Sequence, residues 1–142
     1  MWLTRMSKSI TSFLFITSLA FTMIAEGASL DHSDLYVFDG LYFKKNESIP
    51  FSGKITGRVM AQFVQGVLDG PYEQYYNNGQ LRQSGVYKNG KKNGRWISYH
   101  KNGQLHSEGK YKNGKWEGQW VDFYENGLIR SRGNYRDGKR IE

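Results

Sequence analysis

Cysteine is absent from all 142 residues, which excludes disulfides, thiolate metal sites and cysteine nucleophiles at once. Histidine occurs only at 32, 100 and 106, a thin supply when a metal centre needs three or four converging ligands. No His-Glu-x-x-His pair, Gly-x-Ser-x-Gly elbow or Gly-rich phosphate loop can be found. The nucleophile, base and oxyanion roles of an enzyme therefore have no candidates, and no catalytic residue, metal or cofactor is expected. Acids are also scarce, 13 against 20 Lys and Arg. The resulting net charge of +7 favours anionic partners over cationic ones.

A long apolar run is missing too. Ile10 to Ile24 is apolar apart from Thr and Ser, but it falls short of the roughly 20 apolar residues that a membrane span requires. It follows Arg5 and Lys8 and precedes the small residues Ala25, Gly27 and Ala28. That three-part layout is a secretory signal peptide over residues 1–28, with a retained anchor as the competing reading. Cleavage would make the product periplasmic or secreted. It would remove two bases and one acid, leaving a basic protein that is not expected to meet nucleic acid.

What the chain has in abundance is a repeat. Gly70, Gly94 and Gly118 recur every 24 residues, as do Asn78-Gly79, Asn102-Gly103 and Asn126-Gly127. Leu81, Leu105 and Ile129 keep the same spacing, then Gly85, Gly109 and Gly133, Tyr87, Tyr111 and Tyr135, and Gly90, Gly114 and Gly138. A fixed period of this length specifies stacked supersecondary units. Each unit holds two dipeptides of the Asn-Gly or Asp-Gly kind, which accept the positive φ of a two-residue type I′ hairpin. The segments between them are rich in Tyr, Trp, Val and Ile and too short for a helical pattern. The fold class is therefore all-β: one elongated antiparallel meander sheet of stacked 24-residue hairpins.

Tight turns at Asn102-Gly103 and Asn113-Gly114 fix the register. The first sets His100 opposite Leu105, Ser98 opposite Ser107 and Trp96 opposite Gly109. The second sets Tyr111 opposite Trp116, Gly109 opposite Gly118 and Ser107 opposite Trp120. One face then collects Trp96, His100, Leu105, Gly109, Tyr111, Trp116 and Trp120, with large rings lying over bare glycine backbone. The other face is mostly polar, broken by one aromatic per unit: Tyr75, Tyr99 and Phe123. These fall opposite Arg82, His106 and Arg130.

Residues 67–138 hold the three regular units, and 41–66 keep an aromatic and glycine rhythm as a degenerate opening repeat. Residues 29–40 are a linker or an edge strand, and 139–142 a tail. An atypical first unit is expected where a repeat array must cap its open edge.

The runs Gly94-Arg95-Trp96-Ile97-Ser98-Tyr99-His100-Lys101-Asn102-Gly103-Gln104-Leu105 and Gly118-Gln119-Trp120-Val121-Asp122-Phe123-Tyr124-Glu125-Asn126-Gly127 resemble the MORN repeat in its bacterial variant form. The Tyr-x-x-Asn-Gly-x-Leu pattern at Tyr75–Leu81 and Tyr99–Leu105 carries most of the likeness, which is close over 67–138 and loose over 41–66. The resemblance implies a twisted sheet of stacked hairpins and a role in protein association or membrane attachment. Bacterial proteins similar to this one often carry the label antitoxin, which implies neutralising a partner protein.

Candidate site residues follow from the polar face. Ring and base opposite each other can form local cation–π contacts worth ~0.5–1 kcal/mol, a structural explanation. They can equally form a partner-binding ridge, because Tyr and Arg are enriched in interface hot spots. The expected partner-binding set is Tyr75, Tyr99, Phe123, Arg82, His106 and Arg130. The bases Lys91, Lys92, Lys112, Lys115, Lys139 and Arg140 cluster at the turns of one edge, where lysines commonly block sheet-to-sheet pairing. They would also suit an anionic membrane or envelope surface. A protein partner is the first expectation, that surface the second, and the open edges leave room for pairing with another copy.

Overall fold

Chain reversals dictate the architecture of the computed structural model, which describes residues 30–141. The segment read as a signal peptide lies outside the described residues. Asp39-Gly40, Gln65-Gly66, Asn89-Gly90, Asn113-Gly114 and Asp137-Gly138 each place both central residues at positive φ, the type I′ geometry whose twist matches that of the flanking strands. At Asn78-Gly79, Asn102-Gly103 and Asn126-Gly127 only the glycine has positive φ. These are three-residue loops, closed for example by the His100 amide donating to the Gln104 carbonyl at 2.8 Å.

Eleven strands result among the described residues. β1 (Leu35–Phe38) and β2 (Leu41–Lys44) form a separate hairpin. β3 (Gly53–Ile55), β4 (Val59–Val64), β5 (Val67–Tyr75), β6 (Leu81–Lys88), β7 (Lys91–Tyr99), β8 (Leu105–Lys112), β9 (Lys115–Phe123), β10 (Ile129–Arg136) and β11 (Lys139–Arg140) follow one another in an antiparallel sheet of nine strands that does not close. Residues 35–38 thus belong to a hairpin of their own, preceded by a 3₁₀ turn at His32–Asp34. Lys139 and Arg140, read as tail, pair with Arg136 and Tyr135.

Sequence reasoning placed the register correctly through the strand centres but not beside the loops. Trp96 faces Gly109 and Ser98 faces Ser107, yet Leu105 faces Tyr99 rather than His100. A three-residue loop uses one residue more than a type I′ turn, and a bulge at His106 absorbs the difference. The same bulge recurs at Arg82 and Arg130, so Leu81 faces Tyr75 and Ile129 faces Phe123. Across β8 and β9, Tyr111 faces Trp116 as expected, but Ser107 faces Asp122 instead of Trp120. Gly118, at φ +72°, takes up two extra residues there and swings Trp120 forward.

That shift determines which ring covers which glycine. Gly109 pairs through its backbone with Trp96, but Trp120 lies over it, and Trp96 lies over Gly85. A Cβ on either glycine would enter the covering indole. Trp96 and Trp120 are buried. Their indole N–H groups donate to the Val86 and Lys110 carbonyls at 3.2 and 3.0 Å. Tyr87, Tyr111, Trp116 and Tyr135 continue the stack with centroid separations of 4.8 to 6.0 Å. Burying one such ring removes roughly 200 Å² from water, about 5 kcal/mol as an upper estimate.

The other core lies at the opening end. Leu35 of the hairpin packs with Ile55, Ala61 and Phe63 of β3 and β4, flanked by Tyr42, Phe51 and Leu68. The Leu30 carbonyl accepts from the Thr56 amide at 2.8 Å, so the N-terminal segment covers the exposed edge beyond β3.

Candidate functional site

The bulges rearrange the expected binding set. Along β7 the alternation puts Trp96 and Ser98 on one face and Ile97 and Tyr99 on the other. Cross-strand partners share a face, so Leu81, Leu105 and Ile129 join Tyr75, Tyr99 and Phe123. The three bulged residues point the other way. His106 Nδ1 lies 3.0 Å from Ser98 Oγ on the Trp face, and Arg130 approaches Asp122 at 3.7 Å. Arg82 lies over the Tyr76 ring at 5.7 Å rather than over Tyr75. The structure therefore separates the three expected rings from the three expected bases.

What remains on the former polar face is an apolar row, one residue from each of six consecutive strands: Tyr75, Leu81, Tyr99, Leu105, Phe123 and Ile129. At ~4.8 Å per strand it runs roughly 24 Å. Its members are half-buried apart from Ile129, which is 48% exposed. The Tyr75 hydroxyl donates to Glu73 Oε2 at 2.5 Å, and that carboxylate raises the phenol pKa. Arg95 and Glu108 flank the row as an exposed ion pair at 2.8 Å.

The Trp face carries polar cross-strand pairs that sequence reasoning did not single out as a set. Gln83 donates to Gln74 at 2.7 Å, Ser98 and Ser107 share a hydrogen bond of 2.7 Å, and Ser131 donates to Asp122 at 2.7 Å. Their 24-residue spacing was the available signal. The Ser98–His106 contact belongs to this scaffold: equivalent positions hold Gln74 and Arg82 in the preceding repeat. Burial, the neighbouring His100 and Arg130 lower the His106 pKa, with Asp122 opposing. His100 contacts the His106 ring at 4.5 Å and the Phe123 carbonyl at 2.9 Å. Among the described residues no group of three His, Cys, Asp or Glu gathers as a metal site would require.

The loops stack as a ladder. Asn78 and Asn102 accept from the amides two residues on and donate to the Lys101 and Glu125 carbonyls of the following loop. On the opposite edge Lys88 faces Lys91 and Lys112 faces Lys115. Lys92 does not belong to that edge row. Its ammonium lies 4.0 Å from the Trp96 ring centre and 5.2 Å from that of Tyr111, where burial lowers its pKa. Arg140 is also drawn inward, with Nε 2.8 Å from where a Gly133 Cβ would be, in the position that Trp96 and Trp120 take over the earlier glycines.

Each 24-residue unit is thus a strand, a three-residue loop, a bulged strand and a type I′ turn. Residues 68–89, 92–113 and 116–137 match the MORN repeat variant. Over these three stretches the chain is similar to consecutive MORN repeats. Each match begins in the strand before a three-residue loop and ends in the following type I′ turn, so family unit and structural unit coincide. MORN repeats are generally interaction modules for proteins or membrane phospholipids. No curated protein matches the chain.

Proposed function

We propose that this protein is an exported, non-enzymatic interaction module that binds a partner protein through the row Tyr75, Leu81, Tyr99, Leu105, Phe123 and Ile129. The carrying observation is the row itself: six apolar side chains on consecutive strands, on the face away from the Trp stack, with no element of the described chain packed over them. Rings and aliphatic side chains flanked by Arg95 and Glu108 form an apolar centre within a polar rim, the anatomy of a protein interface. Neutralisation of the partner, as by an immunity protein or antitoxin, is the most concrete form of this role. Export rests on Arg5, Lys8, the Ile10–Ile24 run and the small residues after it. It predicts a mature N-terminus near Ala28 or Ser29 by intact-mass analysis of envelope-fraction protein.

The decisive experiment replaces Tyr99 and Phe123 together by Ser and measures partner capture beside the near-ultraviolet dichroism of the Trp stack. Loss of capture with an unchanged Trp signal supports the row as the site. Capture that survives removes it, and loss of both signals makes the row structural.

A second reading is favoured by the lysine edge. Like charges directly opposite each other oppose pairing, yet Lys88–Lys91 and Lys112–Lys115 recur along it. An anionic envelope surface would relieve that repulsion, each base contributing about 1 kcal/mol. Sedimentation with anionic vesicles that disappears with rising salt and on mutating Lys91, Lys112 and Lys115 would select this reading, since surface attraction is screened within about 10 Å at 0.1 M salt.

A further inference from the structure

Where the first regular repeat meets the 3₁₀ turn and the start of β4 there is a cleft of about 650 Å³, within the roughly 300–1,000 Å³ typical of small-ligand sites. Asp31 and His32 enter it from the N-terminal segment, Arg58 from the turn before β4, Tyr76 from the first loop, Arg82 from the first bulge and Lys101 from the second loop. Three permanent cations thus face one carboxylate.

That carboxylate is already engaged. Asp31 accepts from the Ser33 amide at 2.9 Å and caps its own 3₁₀ turn. Among the described residues, no carboxylate lies within ion-pair distance of Arg58, Arg82 or Lys101. Both guanidiniums are nonetheless oriented. Arg58 donates one N–H to Asn77 Oδ1 at 2.5 Å and, among the described residues, makes no other side-chain hydrogen bond, although the Asp31 carboxylate lies near enough to feel its charge. Arg82 is held over the Tyr76 ring, and that ring is fixed by its hydroxyl donating to the Tyr99 carbonyl at 2.7 Å.

The repeat supplies an internal control. Arg130 occupies the same bulge position as Arg82, 48 residues on, and there Asp122 stands 3.7 Å away. The residue equivalent to Asp122 in the first repeat is Gln74, whose side chain is satisfied by Gln83. An amide has replaced the neutralising carboxylate only where the bulged arginine borders the cleft.

We propose that this cleft binds a small anion, a ligand whose phosphate or carboxylate group is held between Arg58 and Arg82 with Lys101 adding charge. Guanidinium forks bind both groups through paired, charge-assisted hydrogen bonds. Tyr75 of the apolar row also borders the cleft, but Arg58, Arg82 and Lys101 lie outside the row, so their substitution tests this site separately from the protein-binding reading.

The test titrates inorganic phosphate and succinate separately against the protein, with chloride at matched ionic strength as the blank, following backbone amide shifts by NMR. Saturable shifts at Arg58, Asn77 and Arg82 are expected with at least one anion. Affinity should fall roughly tenfold or more in Arg82→Gln and in Arg58→Gln, the loss of one charge-assisted hydrogen bond, and stay unchanged in Arg130→Gln. A response to phosphate alone assigns a phosphate ligand, and one to succinate alone a carboxylate. Shifts that match the chloride blank, or that persist in both cleft variants, would overturn the site.

Discussion

The opening end and the repeat array of this chain solve one problem in two ways. At the opening end a hairpin lies over β3 and β4, so Leu35, Ile55, Ala61 and Phe63 are buried between layers. The array has one layer, and its second and third repeats each lay an indole on the glycine of the strand before it, Trp96 on Gly85 and Trp120 on Gly109. A two-layer core gains stability from many contacts of low specificity. A one-layer array depends on a few placements, and each repeat is supported only by its neighbours. The difference makes the two regions separable by mutation.

The largest effect is expected from Phe63→Ala. Phe63 is 3% exposed and contacts Tyr42 and Phe51, and Phe→Ala changes in cores typically cost ~3–5 kcal/mol. Urea unfolding should show the loss, with hydrogen exchange accelerating first over residues 35–64. Equal acceleration in β9 and β10 would show that the two regions unfold as one unit.

Gly109→Val should act within the repeat array instead, on β8. A side chain at 109 displaces the Trp120 ring that covers it, and overpacking typically costs ~1–3 kcal/mol. Lost near-ultraviolet Trp signal with persistent protection of Phe63 and its neighbours is the expected result. Gly133→Val is the comparison that sharpens it. There Arg140 lies over the glycine, and a flexible side chain can move aside at lower cost. If the two variants were equally destabilised, the indole would not be the element that sets the cost.

How far the sequence carries is clearest at these positions. Period, strand number in the regular units, the type I′ turns and the pairing of Trp96 with Gly109 were all legible, because each rests on local turn chemistry or on alternation. The bulges were not. Asn78-Gly79, Asn102-Gly103 and Asn126-Gly127 look like two-residue turns, yet one further residue joins the loop, and His106 or its equivalents must absorb it. That single slip moved Leu105 away from the Trp face and His106 onto it, which turned an expected row of rings and bases into an apolar row. Trp96 was assigned to the right face but the wrong glycine, Gly109 instead of Gly85, for a related reason: a positive φ at Gly94 inside a strand leaves no mark beyond the glycine itself. The anion cleft was illegible, since it joins Arg58 to Arg82 across a non-repeating boundary.

The loop ladder offers a smaller contrast. Asn102 makes two kinds of bond, accepting from Gln104 at 3.0 Å and donating to the Glu125 carbonyl at 2.9 Å, whereas Asn126 accepts from Leu128 at 3.1 Å within its own loop. A net hydrogen bond is worth about 1 kcal/mol. Asn102→Ala should therefore cost about twice as much as Asn126→Ala in thermal unfolding. Equal costs would mean that the inter-repeat bond adds nothing beyond the turn.

The smallest effect is a pH dependence confined to the middle repeat, where His106 occupies a position that is arginine in both neighbours. Its folded pKa is lowered below the usual 6.5, first by burial and then by His100 and Arg130, against the opposing pull of Asp122. The unfolded chain, free of these neighbours, takes up a proton at higher pH than the folded one. Below about pH 6.5 the unfolded state therefore binds more protons, and stability must rise with pH across that window. The contribution is present above the unfolded value and is lost as pH falls through the folded one. Measured between about pH 7 and pH 5, the urea midpoint should drop more in the native protein than in His106→Gln, and the two curves should run parallel above pH 7. Arg82→Gln and Arg130→Gln change no group that titrates in this range, although Arg130→Gln removes one cause of the lowered pKa and should flatten the His106 effect slightly. A native protein whose midpoint does not fall toward pH 5 relative to His106→Gln would show that the imidazole is solvated in the fold and that the bulge does not draw it onto the Trp face.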